Sequence, residues 1–273
     1  MSRPLVRAGD LLALAAAALL GVPFFCALVV SLMPPEAFLA REPVFWPLRF
    51  DNFARALEAA PFGRYLMNTL LVAGAVTLGS LVTAILAAYA CARLDFKGRD
   101  GAFLAIVATL LIPGHVTLIP NYLTMASLDL VDTYPALIMP SLASGFVCFF
   151  LRQQFRNIPR AYDEAALVDG ASRLQILRLV VVPLARPAIA AMAIFQFLAE
   201  WTSFLWPLVV TTSPEMRTLE VGLAALYDVA IDDGIVNWPV VMAGAVLVMA
   251  PTLLLFALAE RQLVRGFAPE VGR

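Results

Sequence analysis

Few residues in this chain of 273 are suited to acid–base or metal chemistry. Its one histidine, His115, excludes a site built from several imidazoles and leaves histidine-based catalysis a single candidate. Of the 19 basic residues one is a lysine, Lys97, which stands in DFKGRD and is followed by Gly98. A phosphate-cradling Walker A loop needs Gly-Lys-Ser/Thr, so any ATP this protein works with is hydrolysed by another chain. Cys26, Cys91 and Cys148 occur singly, with no C-x-x-C pair, and read as buried thiols rather than metal ligands. The remaining reactive group is Glu200, a lone acid in an otherwise uncharged run from Pro187 to Pro214. An ionised side chain in such a run is costly unless it faces a cavity or a partner. Two readings stay open. In one, Glu200 with Trp201, Thr202, Ser203 and Trp206 lines a path for a polyhydroxylated solute, the carboxylate accepting hydrogen bonds while indole faces pack on C–H groups. In the other, Glu200 holds two helices or two subunits together. Asn68 joins the same polar wall in the first reading and makes an interhelical hydrogen bond in the second, and His115 reads as a packing or hydrogen-bonding residue.

The elements that must position these groups are apolar and long. The chain is 62% hydrophobic and 14% charged, well above the apolar share of a globular domain. Uncharged runs extend from Leu11 to Met33, Tyr65 to Ala92, Gly101 to Leu128, Thr133 to Leu151, Pro187 to Pro214 (Glu200 apart) and Gly234 to Ala259. Each supplies the roughly 20 residues that a helix needs to cross a bilayer. The expected fold is therefore an all-α, polytopic membrane helical bundle forming one domain over residues 1–273, with six spans near 11–33, 66–91, 102–124, 134–151, 188–211 and 238–259. The first run is too long for the core of a cleaved signal and reads as an uncleaved span. With the N-terminus inside, fourteen basic residues fall in cytoplasmic segments and five outside, so both termini are expected in the cytoplasm. A net charge of −1 with no long basic run argues against nucleic acid. Pro113 and Pro120 in the third run, and Pro187 and Pro207 in the fifth, predict kinks that free carbonyls towards a cavity or are absorbed by packing. Gly74 and Gly79 read as points of close helix approach.

Two connections are long. The external segment 34–64 is amphipathic and reads as a packed loop, with an interfacial or partner-binding role as the alternative. The internal segment 152–186 holds IPRAYDEAALVDGASRLQILRLVVVP, whose local physics is definite. Pro159 opens a helix, and Asp163 and Glu164 suit its positive end. Gly170 closes it, and Ser172 with Gln175 gives a capping box for the next helix. Tyr162, Ala165, Ala166 and Asp169 share one face, small enough for close approach to a partner's socket.

EAALVDGAS followed by VVPLARPAIAA resembles the EAA signature of permease subunits of binding-protein-dependent ABC importers. The resemblance implies that this element is the coupling helix, seated in a cleft of a cytoplasmic ATPase, with Glu164, Ala165, Ala166, Asp169 and Gly170 at the signature positions. LDLVDTYPALIMPSL, FFLRQQFRNIP, FLAEWTSFLWPLVV, RTLEVGLAAL and the tail QLVRGFAPEVGR are similar to the smaller permease of carbohydrate importers of the maltose-transporter type, which also includes glycerol-3-phosphate systems. Trp201-Thr202-Ser203 replaces the Trp-Asn-Asp/Glu common in that family, and the usual terminal Lys-Gly is missing. The family further implies a bacterial inner-membrane location and a pathway for a sugar or related polyol formed with a second permease subunit. It implies two ATPase subunits that carry ATP and magnesium, an extracytoplasmic solute-binding protein, and no cofactor or catalytic residue on this chain. An ion-coupled secondary transporter is the competing class, and it would need coupling acids or histidines along several spans, where only Glu200 and His115 qualify.

Overall fold

The computed structural model describes residues 8–40, 47–232 and 234–267. Arg3, Arg7, the stretch REPVFW and the end of the tail from residue 268 onwards lie outside them. In chain order the helices are α1 (Ala8–Ser31), α2 (Pro35–Leu39), α3 (Asp51–Ala59), α4 (Phe62–Arg93), α5 (Arg99–Ala108), α6 (Gly114–Ser127), α7 (Tyr134–Ile138), α8 (Gly145–Asn157) and α9 (Ala161–Val168). They continue as α10 (Arg173–Ile176), α11 (Val182–Leu184), α12 (Arg186–Trp201), α13 (Leu205–Val210), α14 (Leu219–Val229) and α15 (Trp238–Phe267), with a small hairpin of β1 (Ile231–Asp232) and β2 (Ile235–Val236) before the last.

Three helical segments are long and apolar enough to cross a membrane: Leu12–Ser31, Phe62–Arg93 and Trp238–Ala257. Three bent pairs pass the same test together. Arg99–Leu111 with Gly114–Ser127 is bent by 100°, Tyr134–Ser141 with Gly145–Asn157 by 44°, and Arg173–Leu184 with Arg186–Trp201 by 80°. The described chain thus offers three spans, or up to six if each bent pair is one span. Proline accounts for some of this bending. Pro113 stands in the sharpest break, because its ring fixes φ and its nitrogen donates no hydrogen bond to the turn before, whereas Pro120 is carried inside α6. The run 187–214 is divided at Thr202–Phe204 into α12 and α13, so Glu200 lies in the last turn of α12.

The chain forms two compact units. The first contains residues 1–62 and 222–254. Within it α1 presents Leu12, Leu19, Leu20 and Phe25 outward, as a helix bathed in lipid does. The external segment is helical: α3 buries Asn52 and Ala56, one turn apart, and the Asn52 amide donates to Ser31 O at 2.9 Å and Met33 O at 3.0 Å, covering carbonyls left open where α1 ends.

The second unit, residues 63–221 and 255–273, is built on α4. Ala84, Ala88 and Ala92 keep one side of α4 narrow, and Val147, Leu151 and Phe155 of α8, four residues apart, pack against it with Ile176, Val181 and Met192. Gly79 is a point of contact, since a side-chain carbon there would run into Leu142 Cδ2, while Gly74 faces open space. A second cluster joins Val72 and Val76 of α4 to Met125, Ala136, Leu137 and Val210.

Candidate functional site

Three places in the second unit carry the polar groups that the apolar packing does not use. The first is the loop between α8 and α12. Helix α9 ends at Val168, Gly170 takes φ 81°, and the amides of Gly170 and Ala171 donate to Leu167 O at 3.0 Å and Ala166 O at 2.9 Å. That left-handed closure needs glycine, because a Cβ there crowds the neighbouring carbonyl. Ser172 and Gln175 form the capping box that starts α10: Ser172 N donates to Gln175 Oε1 at 2.7 Å and Gln175 N to Ser172 Oγ at 3.4 Å. Beyond α10 the chain widens into a π-turn over Leu177–Val181, followed by Val182 and Pro183 at the start of α11. Glu164, Ala165, Asp169 and Gly170 are exposed and Ala166 is half-buried against the α4–α8 core. Val168 is 88% exposed, and Tyr162, Leu167 and Leu174 stand out beside it. Together they form an exposed apolar crest on a short, otherwise polar loop. Asp163 faces inward instead, where it pairs with Arg93 at 3.3 Å.

The second place is where the helix breaks converge. An open cavity of about 460 Å³ is lined by Gly114, His115, Thr117, Leu118 and Asn121 of α6, by Pro140 and Ser141, and by Ser203, Phe204, Leu205 and Trp206. Trp206 Nε1 is held by Ala136 O at 3.1 Å, which leaves the ring as an apolar plate on the wall. Glu200 adjoins this wall beside Ser141 and accepts from Gln196 Nε2 at 3.2 Å. Of the other residues expected here, Ser203 lines the cavity. Trp201 is buried and stacks on Phe197 at 5.8 Å between centroids, while Thr202 returns its hydroxyl to Leu198 O at 3.0 Å. His115, Thr117, Asn121 and Ser141 were not singled out as lining residues from the sequence. Positions 114, 117, 118 and 121 follow the i, i+3, i+4, i+7 rule, and that spacing is the signal that could have found this face of α6. Hydroxyl, amide, imidazole and indole groups in one cavity can donate to, accept from and stack on a polyhydroxylated ligand.

The third place is a brace. Asn68 is fully buried; its amide donates to Glu215 O and Arg217 O, each at 2.8 Å, and its oxygen accepts from the Tyr134 hydroxyl at 2.7 Å. Every hydrogen-bonding position it has towards these neighbours is used in holding the segment before α14. Asp132, at φ 64°, anchors the other end, its Oδ1 accepting from Thr212 N at 2.8 Å and Ser213 N at 3.1 Å. Burial alone would raise the Asp132 carboxyl, but hydrogen bonds from the side chains and amides of Ser213 and Thr212 outweigh it and hold the group below the ordinary carboxylate range. A depressed value makes the anchor fully present above the free carboxyl's value of about 3.9 and lost as pH falls through the lower folded value. Asp132→Asn, which tolerates the same backbone, is expected to speed hydrogen exchange at Thr212 and Ser213 roughly fivefold at neutral pH, because charge-assisted bonds become neutral ones. The wild type should lose its advantage only below about pH 4. Equal exchange at pH 7 would show that the carboxylate does not hold this segment.

Residues 80–268 match the family described as "Binding-protein-dependent transport system inner membrane component". The chain is 34% identical over 245 residues to the arabinooligosaccharides transport system permease protein AraQ of Halalkalibacterium halodurans, covering 88% of this chain and 86% of that one. It is 36% identical over 203 residues to the sn-glycerol-3-phosphate transport system permease protein UgpE of Agrobacterium fabrum, covering 74% of this chain and 71% of the relative. Its fold matches a chain of a bacterial ABC transporter involved in the import of the acidic polysaccharide alginate, with a TM-score of 0.78 and 24% identity over 95% of this chain and 99% of the other. With the match spanning the core packing, the glycine corner and the cavity, this chain belongs to the inner-membrane components of binding-protein-dependent transport systems.

Proposed function

We propose that the chain is the permease subunit of an ABC importer for a sugar or related polyol, driven by separate ATPase subunits that dock on α9. The observation that carries the docking is the apolar crest around Val168 beside the glycine corner at Gly170, with Glu164, Ala165 and Ala166 on the same short helix and Asp169 at its C-cap. In this reading α9 sits in a cleft of the ATPase, both termini are cytoplasmic, and solute arrives on an external binding protein. ATP and magnesium belong to the ATPase partners, and a second permease subunit completes the pathway. The cavity at the helix breaks is the pathway wall on this side, with Ser203 and Trp206 facing solute and Glu200 behind Ser141. Among the described residues the cavity lining has no arginine or lysine, which favours an uncharged polyol, while the similarity to glycerol-3-phosphate permeases keeps a phosphorylated polyol as the second reading.

The test is ATP hydrolysis by the purified complex in lipid, with a panel of sugars and glycerol phosphates presented on its binding protein. One solute is expected to stimulate hydrolysis in the wild type, and Val168→Asp, which places a charge on the crest, is expected to remove that stimulation. Full stimulation in Val168→Asp would overturn docking through α9. Transport driven by an ion gradient, with no ATPase bound, would replace the importer by a secondary transporter.

A further inference from the structure

Among the described residues of α9, the one that is buried is an acid, Asp163. A helix held by an apolar face can slide on its neighbour, whereas one held by an ion pair is tied to a single point. That point is Arg93, the last residue of α4, whose side chain is 3% exposed. Its Nη1 lies 3.3 Å from Asp163 Oδ2, and its Nη2 donates to Phe155 O and, at 2.6 Å, to Ile158 O, the carbonyls that close α8. A guanidinium suits this junction because its fixed fork of donors can serve two carbonyls and a carboxylate together, and its charge complements the negative end of α8.

The attachment is asymmetric. Two carbonyls fix Arg93 on the α8 side, but Asp163 is held through one oxygen, with Asp163 Oδ1 and Arg93 Nε buried and without a hydrogen-bond partner among the described residues. A paired fork-to-fork contact would set the angle of α9, and a single contact leaves it free to turn about that point. One turn earlier on the same face of α4, the Tyr89 hydroxyl donates to Arg173 O at 3.0 Å, the first residue of α10. One end of α4 therefore grips the loop on both sides of the docking surface.

We propose that Arg93 and Tyr89 are positioning residues that pass the movement of the docking helix to α4: Arg93 as the pivot of α9 and Tyr89 as the tie on α10. This rests on the reading of α9 as the ATPase-docking element. When the partner's cleft moves α9, the pull acts on the end of a 32-residue helix of membrane-crossing length, and through the Phe155 and Ile158 carbonyls on α8 as well.

The experiment measures ATP hydrolysed per solute moved, in proteoliposomes holding the complete complex, for Asp163→Asn, Arg93→Lys and Tyr89→Phe. Asparagine keeps the shape of Asp163 without its charge, lysine keeps the charge of Arg93 without the fork, and phenylalanine loses only the hydroxyl. The ATPase subunits are expected to co-purify in wild-type proportion with all three. The ATP spent per solute should rise roughly fivefold in Asp163→Asn, the size expected of side chains that carry coupling between sites, and less in Arg93→Lys. Tyr89→Phe, which leaves the apolar packing of its ring intact, should show a rise of roughly twofold with an unchanged thermal midpoint. A wild-type ratio in both Asp163→Asn and Tyr89→Phe would overturn the proposal and leave docking untouched. Loss of the ATPase subunits from these variants would also overturn it, by showing that the pair shapes the docking surface instead of transmitting its movement. Failure of the docking reading has a separate signature: Val168→Asp would then couple normally whatever the other variants do.

Discussion

Replacing Gly170 by proline is expected to lower ATP-driven uptake roughly a hundredfold while the protein remains in the membrane, because a proline forced into an incompatible backbone costs about 3 kcal/mol. Gly170 has φ 81°, where proline is held near −65°, and its amide donates to Leu167 O, a bond that proline cannot make. Apart from its own chain neighbours, nothing lies within 4 Å of a side-chain carbon at Gly170, so the effect comes from the local backbone and not from a clash with another element. Loss of the corner redirects α10 relative to α9 and removes the crest from its position, while the spans and their packing stay as they are. Gly170→Ala tests the same cause at a smaller size: the left-handed conformation costs an L-residue about 1–2 kcal/mol, so uptake should be reduced but measurable. Uptake by membrane vesicles, with the amount of inserted protein measured alongside, checks both. Near wild-type uptake by the proline variant would mean that the corner has no part in coupling.

Gly145→Val is expected to act on stability. Gly145 opens α8 beneath the Ser144 cap, and a side-chain carbon there would stand 2.7 Å from Thr109 Oγ1 and 3.1 Å from the Ile106 carbonyl oxygen. The second contact is backbone of α5 and cannot rotate away, so α5 and α8 must separate. Overpacking of this kind costs about 1–3 kcal/mol, a drop of roughly 5 °C in the thermal midpoint of the solubilised protein. Because Pro140 and Ser141, just before α8, line the cavity, the same displacement should impair transport in the protein that survives. Gly74→Ala serves as the control, since nothing lies within 4 Å of the added carbon. Equal midpoints for the two variants would show that α5 and α8 are not in close contact at Gly145.

The loop between α8 and α12 was legible because its signals are local. A glycine that ends a helix, a serine three residues before a glutamine and two acids in a first turn act through bonds that reach no more than five residues, and the structure has Gly170, Ser172 and Gln175 in those roles. Asp163 shows the limit of such reasoning. In the sequence it is an acid suited to a helix start; in the fold it is the buried partner of a residue 70 positions earlier. Asn68 is a second case, since nothing near it in the sequence says that Glu215 and Arg217 will bring their carbonyls to its amide.

By itself the sequence determined the class of the protein, its apolar helices and the shape of the corner at Gly170, because charge-free length and backbone conformation are properties of neighbouring residues. Only the tertiary structure decided that breaks near Pro113, Leu142 and Ser203 meet around one cavity, and that Arg93 joins the ends of α4 and α8 to α9. Those outcomes depend on where helices far apart in the chain come to lie against each other, and small residues such as Gly79, Ala84 and Ala88 set that distance only once a partner helix is in place.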